Sequence, residues 1–152
     1  MKRFAARLPA ARLLASVLWA GSLWALGYVA APSVFAHTSG PLAGDIVGTM
    51  LARLAWISFA CAGALLVLVR LGPDLDAARR RTLNLLVLAM LACALTMYAG
   101  LQPAMAQMRE AAGPAGVHAS PLWTRFAIMH GVSQLLHVIE SVLAAVLVIK
   151  SR

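Results

Sequence analysis

The stretch FAIMHGVSQLLHVIESVLAAVLVI, residues 126–149, contains no lysine or arginine and a single acidic residue, Glu140. About 20 apolar residues are enough to cross a hydrocarbon layer of about 30 Å, so this stretch has the length and hydropathy of a membrane-spanning helix. Its polar residues also recur at a helical period. With His130 set at zero and about 100° per residue, Ser141 falls near +20°, Gln134 near +40°, His137 near −20°, Ser133 near −60° and Glu140 near −80°. They form one polar stripe on an otherwise apolar helix, and such a stripe must face protein or water. With the helix centred near residue 136, His137 sits at mid-membrane and Glu140 about 6 Å further along. An ionised carboxylate at that depth costs about 3 kcal/mol or more unless it is paired or neutralised.

The rest of the chain has the same character. Of its 152 residues 62% are hydrophobic and 12% charged, outside the range of ordinary soluble domains. Four apolar runs fill it, at about 13–36, 43–69, 82–102 and 121–149, with little left over, so 1–152 is expected to be a single transmembrane domain. The turn HTSGP, His37 to Pro41, forces the first two spans into an antiparallel hairpin. Gly72 and Pro73 end the second span, and the charges of RLGPDLDAARRR mark a solvated loop. Pro103 is expected to end or kink the third span. The polar segment AMAQMREAAGPAGVHA after it is not a fifth span, though its first half fits a short interfacial helix. Ser120 and Pro121 read as an N-cap and first-turn proline opening the fourth.

Charge sets the expected orientation. Lys2, Arg3, Arg7 and Arg12 precede the first span, Arg70, Arg79, Arg80 and Arg81 lie between the second and third, and Lys150 and Arg152 follow the fourth. All fall on one side, whereas Asp45, Arg109, Glu110 and Arg125 lie towards the other. The positive-inside rule then puts both termini in the cytoplasm. Basic loops beside anionic lipid headgroups account for the net charge of +8 without any nucleic-acid partner. The N-terminus has the parts of a cleaved signal peptide, but its apolar stretch exceeds the 7 to 15 residues of such a signal and includes Trp19, Trp24 and Tyr28. Retention as a span is expected.

Chemistry-bearing motifs are sparse. Cys61 and Cys93 fall at mid-depth in their spans and read as packing residues. No P-loop, dinucleotide fingerprint, HExxH, GxSxG or internal repeat is present, so no enzyme activity and no cofactor are expected. Small residues mark candidate helix-packing positions: Gly44, Gly48 and Ala52 in the second span, Gly21 with Ala25 in the first. Either they pack the first hairpin or they form a homo-oligomer contact. Arg53 is the one basic residue well within another span and is the candidate charge partner of Glu140, while Asn84, Ser16 and Ser22 are further hydrogen-bond candidates.

Three roles fit the stripe His130, Ser133, Gln134, His137, Glu140 and Ser141. Polar side chains bonding across the bundle would fix its register. Titratable groups at successive depths on one face would serve a proton or small-solute path. Haem or copper is the weakest: His130 and His137 are about 10 Å apart along the helix, too far to be both axial ligands of one iron, and a copper site would have to draw on His37, His118, Met105 and Met108.

The first hairpin, LWAGSLWALGYVAAPSVFAHTSGPLAGDIVGTMLARLAWISFACAGALLVL, with its AAPSVF ending and LAGDIVG opening, resembles the bacterial branch of the transmembrane protein 205-like family, a domain of unknown function. The closing FAIMHGVSQLLHVIESVLAAVLVI is similar to that family's last helix. The resemblance implies four spans and marks Pro32, Phe35, Gly44 and the HGVS of His130 to Ser133 as positions to test. It implies no catalytic residue. The expectation is thus an all-α, multi-pass, antiparallel four-helix bundle in a bacterial inner membrane, both termini cytoplasmic. A non-enzymatic assembly or interaction component leads, partnered by the lipid bilayer and by a second copy or another membrane protein. The alternative is a small oligomeric transporter or proton-coupled permeation unit using the fourth helix.

Overall fold

The computed structural model describes residues 7–152; Lys2 and Arg3, counted in the charge asymmetry, lie outside the described residues. Four long helices are present, α1 Leu8–His37, α2 Gly40–Leu71, α3 Ala77–Ala115 and α4 Trp123–Lys150, each long and apolar enough to cross a membrane. They run up, down, up and down. Each packs on its sequence neighbours, and α1 closes the ring against α4.

The helices outrun the apolar windows that announce them, because polar residues at membrane surfaces extend a helix without adding hydropathy. The largest difference is at Pro103, which does not end the third span: α-helix continues from Gln102 to Ala112. The wider turn just before it supplies the reason. Residues Thr96–Leu101 form a π-helical segment in which the Gln102 N–H reaches back five residues to Met97 O. A proline has no N–H to give and its ring crowds the carbonyl four residues back, so a widened turn lets the helix pass through. In α1 the same device recurs at Ala25–Ala30, where Ala31 N–H bonds Leu26 O directly before Pro32.

The start of α4 lies two residues beyond the expected first helical position, Pro121. Ser120 Oγ accepts the Leu122 N–H at 3.2 Å, and the α-helix begins at Trp123. Asp76 does cap α3, its carboxylate accepting the Arg79 N–H at 2.7 Å, as a short acidic side chain does for an otherwise orphaned first-turn donor.

The apolar core lies in the half of the bundle that carries both termini. Trp19 and Ala20 from α1, Cys61, Leu65 and Val69 from α2, Leu83, Val87 and Met90 from α3, and Ala144 and Leu147 from α4 form one buried cluster. Trp19 is wholly buried. The side-chain network at that end is built on arginine. Arg12, 1% exposed, pairs with Asp74 Oδ2 at 2.8 Å and donates to Ser151 O at 3.4 Å. Ser16 Oγ joins Ser151 Oγ at 2.8 Å. Arg79 donates to Lys150 O at 3.0 Å, and Arg80 to Arg70 O and Gly72 O at 3.1 Å each. These are the last carbonyls of α4 and α2, which have no helical partner and carry the negative end of the helix dipole. Arginines that read only as topology signals therefore also tie all four helices and a loop together.

Candidate functional site

Where the packed core ends, the polar stripe of α4 begins. Ser133, His137, Glu140 and Ser141 are buried, whereas His130 and Gln134 are exposed. His130 lies mid-stripe and is left uncovered by its depth, stacked on Phe126 at 6.0 Å; Gln134 lies at the stripe's edge. The stripe's inner half is thus an interior feature and its outer half is not.

His137 is clamped by the π segment of α1. The Tyr28 ring meets it edge-on at 5.5 Å, and the Tyr28 hydroxyl donates to Ser141 Oγ at 3.0 Å. Gly27 lies flat against the imidazole: a Cβ there would fall 2.6 Å from His137 Cε1 and closer still to Nε2. Only glycine allows this backbone approach. From the opposite side, the π segment of α3 contributes Met97 and Tyr98 to a cavity of about 30 Å³ that His137 and Glu140 also line, together with Ser58 of α2 and Gln102. That volume holds roughly one or two waters. Both π segments therefore flank the same pair of α4 side chains, in keeping with the frequent placement of such turns at functional sites.

The pair lacks partners. His137 Nε2 and Glu140 Oε1 are buried and make no hydrogen bond within the protein. Trp19 Nε1 is the donor beside the Glu140 carboxyl, yet it too closes no bond. Arg53, the expected charge partner, is exposed on the outside of the bundle. The ion pairs among the described residues are Arg12 with Asp74 and Arg109 with Asp45, so Glu140 has no protein counter-charge there.

The small-residue stripes also sort differently from expectation. The space over Gly44 and Gly48 is taken by Arg109 of α3, whose Cδ and Nη2 would lie 3.2 and 3.3 Å from a Cβ at the two positions. They seat an arginine side chain from α3, 3.5 Å from Asp45, instead of the backbone of α1. Ala52 is half-buried, while Gly21 and Ala25 are exposed and Gly21 faces open space. Asn84 and Ser22 are half-buried; Ser16 belongs to the Arg12 network. Pro32 follows the α1 π segment and Phe35 is exposed.

Metal chemistry finds no assembled ligand set. Among the described residues no group of three or more His, Cys, Asp or Glu side chains is placed to hold a metal ion. His37 Nδ1 is engaged with Ser33 O at 2.9 Å, His118 lies against Trp123 at 3.7 Å, and Met105 and Met108 are buried in α3. The residues that sequence reasoning missed are Trp19, Gly27, Tyr28, Ser58 and Tyr98: each reads as apolar or small filler in its own span, and only the bundle brings them to the α4 pair.

The model of a family described as a domain of unknown function (DUF4149) matches residues 14–114, and the chain belongs to that family. The match covers the Gly27, Tyr28, Ser58 and Tyr98 walls of the site and stops before α4. No curated protein and no solved structure matches.

Proposed function

We propose that this member of the family is a non-enzymatic membrane protein that passes protons through the centre of its bundle, with Glu140 as the group that takes up and releases the proton and His137 as its relay. One observation carries this: Glu140 Oε1 and His137 Nε2 are both buried near the midpoint of α4 and both unbonded, and the two residues that carry them line one water-sized cavity. Side chains that only fix helix register bond to one another, and these do not. A cavity of about 30 Å³ admits water and excludes solutes, which favours proton movement over transport of a larger substrate. Exposed His130 extends the stripe from Ser133 towards the end away from the termini, and exposed Gln134 lies beside Ser133; that end is the proposed approach for water. The setting proposed is a bacterial inner membrane with both termini cytoplasmic, and kinship with the transmembrane protein 205-like family is proposed alongside it.

Water-accessible labelling tests the path. With Cys61 and Cys93 replaced by alanine, single cysteines at 130, 133, 137 and 140 should all react with a membrane-impermeant thiol reagent. Protection at 133, 137 and 140 together would contradict the proposal. A second function, assembly with another membrane protein, is favoured by Arg53 and the aromatic group Trp56, Phe59 and Tyr98, whose rings meet edge-to-face at 5.6 to 6.0 Å. Arg53 and Trp56 face away from the bundle, where a partner helix bearing a carboxylate would find them.

A further inference from the structure

The proline that α3 carries past its π segment has a consequence for one backbone carbonyl. In an α-helix Tyr98 O would accept the Gln102 N–H, but that donor is given to Met97 O. In the wider pitch the next donor would be residue 103, and Pro103 has no N–H. Tyr98 O is therefore left without a helical partner. The hydroxyl two residues before it, Thr96 Oγ1, donates instead to Ala92 O at 2.9 Å. Tyr98 lies near the middle of α3, at a depth where no bulk water meets a bare carbonyl. Gly27 O in α1 loses its helical donors in the same way, because Ala31 N–H is given to Leu26 O directly before Pro32. Gly27 is the residue laid against His137.

Tyr98 lines the cavity of about 30 Å³ together with Ser58, His137 and Glu140. Ser58 is 2% exposed, and its hydroxyl proton is spent on Leu54 O at 3.0 Å, so its oxygen has only lone pairs left to offer. Glu140 Oε1 is unbonded, and an ionised carboxylate can only accept. Three residues that line one cavity, from α2, α3 and α4, thus carry acceptors in want of a donor. What satisfies such a set is a small molecule with hydrogens to give, and a space of this volume takes one or two waters. We propose that the cavity is a binding site for an ordered water, held by one hydrogen on Tyr98 O, its other hydrogen turning between Ser58 Oγ and His137 Nε2. Its role rests on the proton reading above. As the Glu140 carboxylic proton passes to the water oxygen, one of the water's own protons passes to His137 Nε2, leaving a carboxylate, an imidazolium and an intact water. Pro103, which withholds the N–H that would close on Tyr98 O, is a positioning residue for this transfer.

Water-to-protein magnetisation transfer in solid-state NMR of proteoliposomes reads the water without reference to conduction. Tyr98–Ala99 is the one Tyr–Ala pair in the sequence, so carbonyl-13C tyrosine combined with 15N alanine isolates the Tyr98 carbonyl. Its signal should grow from water in the wild type and lose that growth in Pro103→Ala, which gives Tyr98 O a helical donor again. Proton flux into liposomes should fall about tenfold in Pro103→Ala, the worth of one hydrogen bond, with unfolding at or above the wild-type denaturant concentration. Ser58→Ala leaves the α3 backbone alone and should lower the flux as well, which keeps the role testable should Pro103→Ala fail to fold. No transfer from water to wild-type Tyr98, or transfer undiminished in folded Pro103→Ala, would overturn the site. Wild-type flux in the folded variants would overturn the role. A wild type that shows the water and conducts no protons would leave the site standing and end the proton reading instead.

Discussion

Two buried polar centres share this bundle, and they are built on opposite terms. At the end that carries the termini, Arg12 is enclosed but answered at two of its three nitrogens, by the Asp74 carboxylate and the Ser151 carbonyl, with Nη1 left over. Near the middle of α4, His137 and Glu140 are also buried, and neither His137 Nε2 nor Glu140 Oε1 makes a hydrogen bond in the protein or has a counter-charge among the described residues. Desolvating a charge costs several kcal/mol, and a close partner can return that cost. The first centre is therefore a clasp. The second keeps its cost outstanding beside a space that fits water, as a group must if its proton is to leave and return.

Breaking the clasp should give the largest loss of stability. Asp74→Leu leaves a guanidinium that is 1% exposed without its carboxylate, and because Asp74 is itself part-exposed the cost should be at the low end for broken buried pairs, about 3 kcal/mol. Denaturant unfolding in detergent measures it. If Asp74→Leu unfolds like the wild type, the contrast between the two centres fails.

The site's own packing comes next. Gly27→Ala drives a methyl group into the His137 ring and should cost about 2 kcal/mol. His137→Ala in the same chain should recover most of that, so a double-mutant cycle reads the contact directly. Additive losses would mean that the two residues do not touch. Glu140→Gln should be smaller still, about 1 kcal/mol or less in either direction, because no protein partner is lost. A large loss would turn Glu140 into a second clasp.

The smallest effect is a change with pH. The hydrogen bond from Arg12 holds the Asp74 carboxyl below its ordinary value of 3.8. A group with a depressed folded value stabilises the fold fully above the unfolded value and loses that contribution as pH falls through the folded one. The melting temperature should therefore fall below about pH 4, and Asp74→Asn should flatten that acid limb. An identical limb in the variant would assign it to another carboxylate.

The two centres were unequally legible in the sequence. The polar stripe of α4 could be read because six polar side chains recur at a helical period within an apolar run, and four of the six are buried. Its walls could not, since Gly27, Trp19 and Tyr98 carry no local mark of what they face. The clasp was hidden differently: charge counting treats Arg12 as one more basic residue near the membrane, and nothing local separates it from Arg7, which is exposed. The four spans were plain because each apolar run exceeds the bilayer thickness. Their ends were not: Pro103 was open to ending or kinking the third helix, and a wider turn absorbs the proline so that the helix does not end there. Arg53 was matched to Glu140 as the one basic residue well within another span, and lying within a span does not say which way a side chain points.

The most direct test of the central claim is proton flux into liposomes of the purified protein, reported by an enclosed pH-sensitive dye under an imposed pH gradient. Wild-type protein should collapse the gradient faster than empty liposomes, and Glu140→Gln should bring the rate down to theirs while unfolding at the wild-type denaturant concentration. A Glu140→Gln variant that is folded and conducts like the wild type, or a wild type no faster than lipid alone, would contradict it.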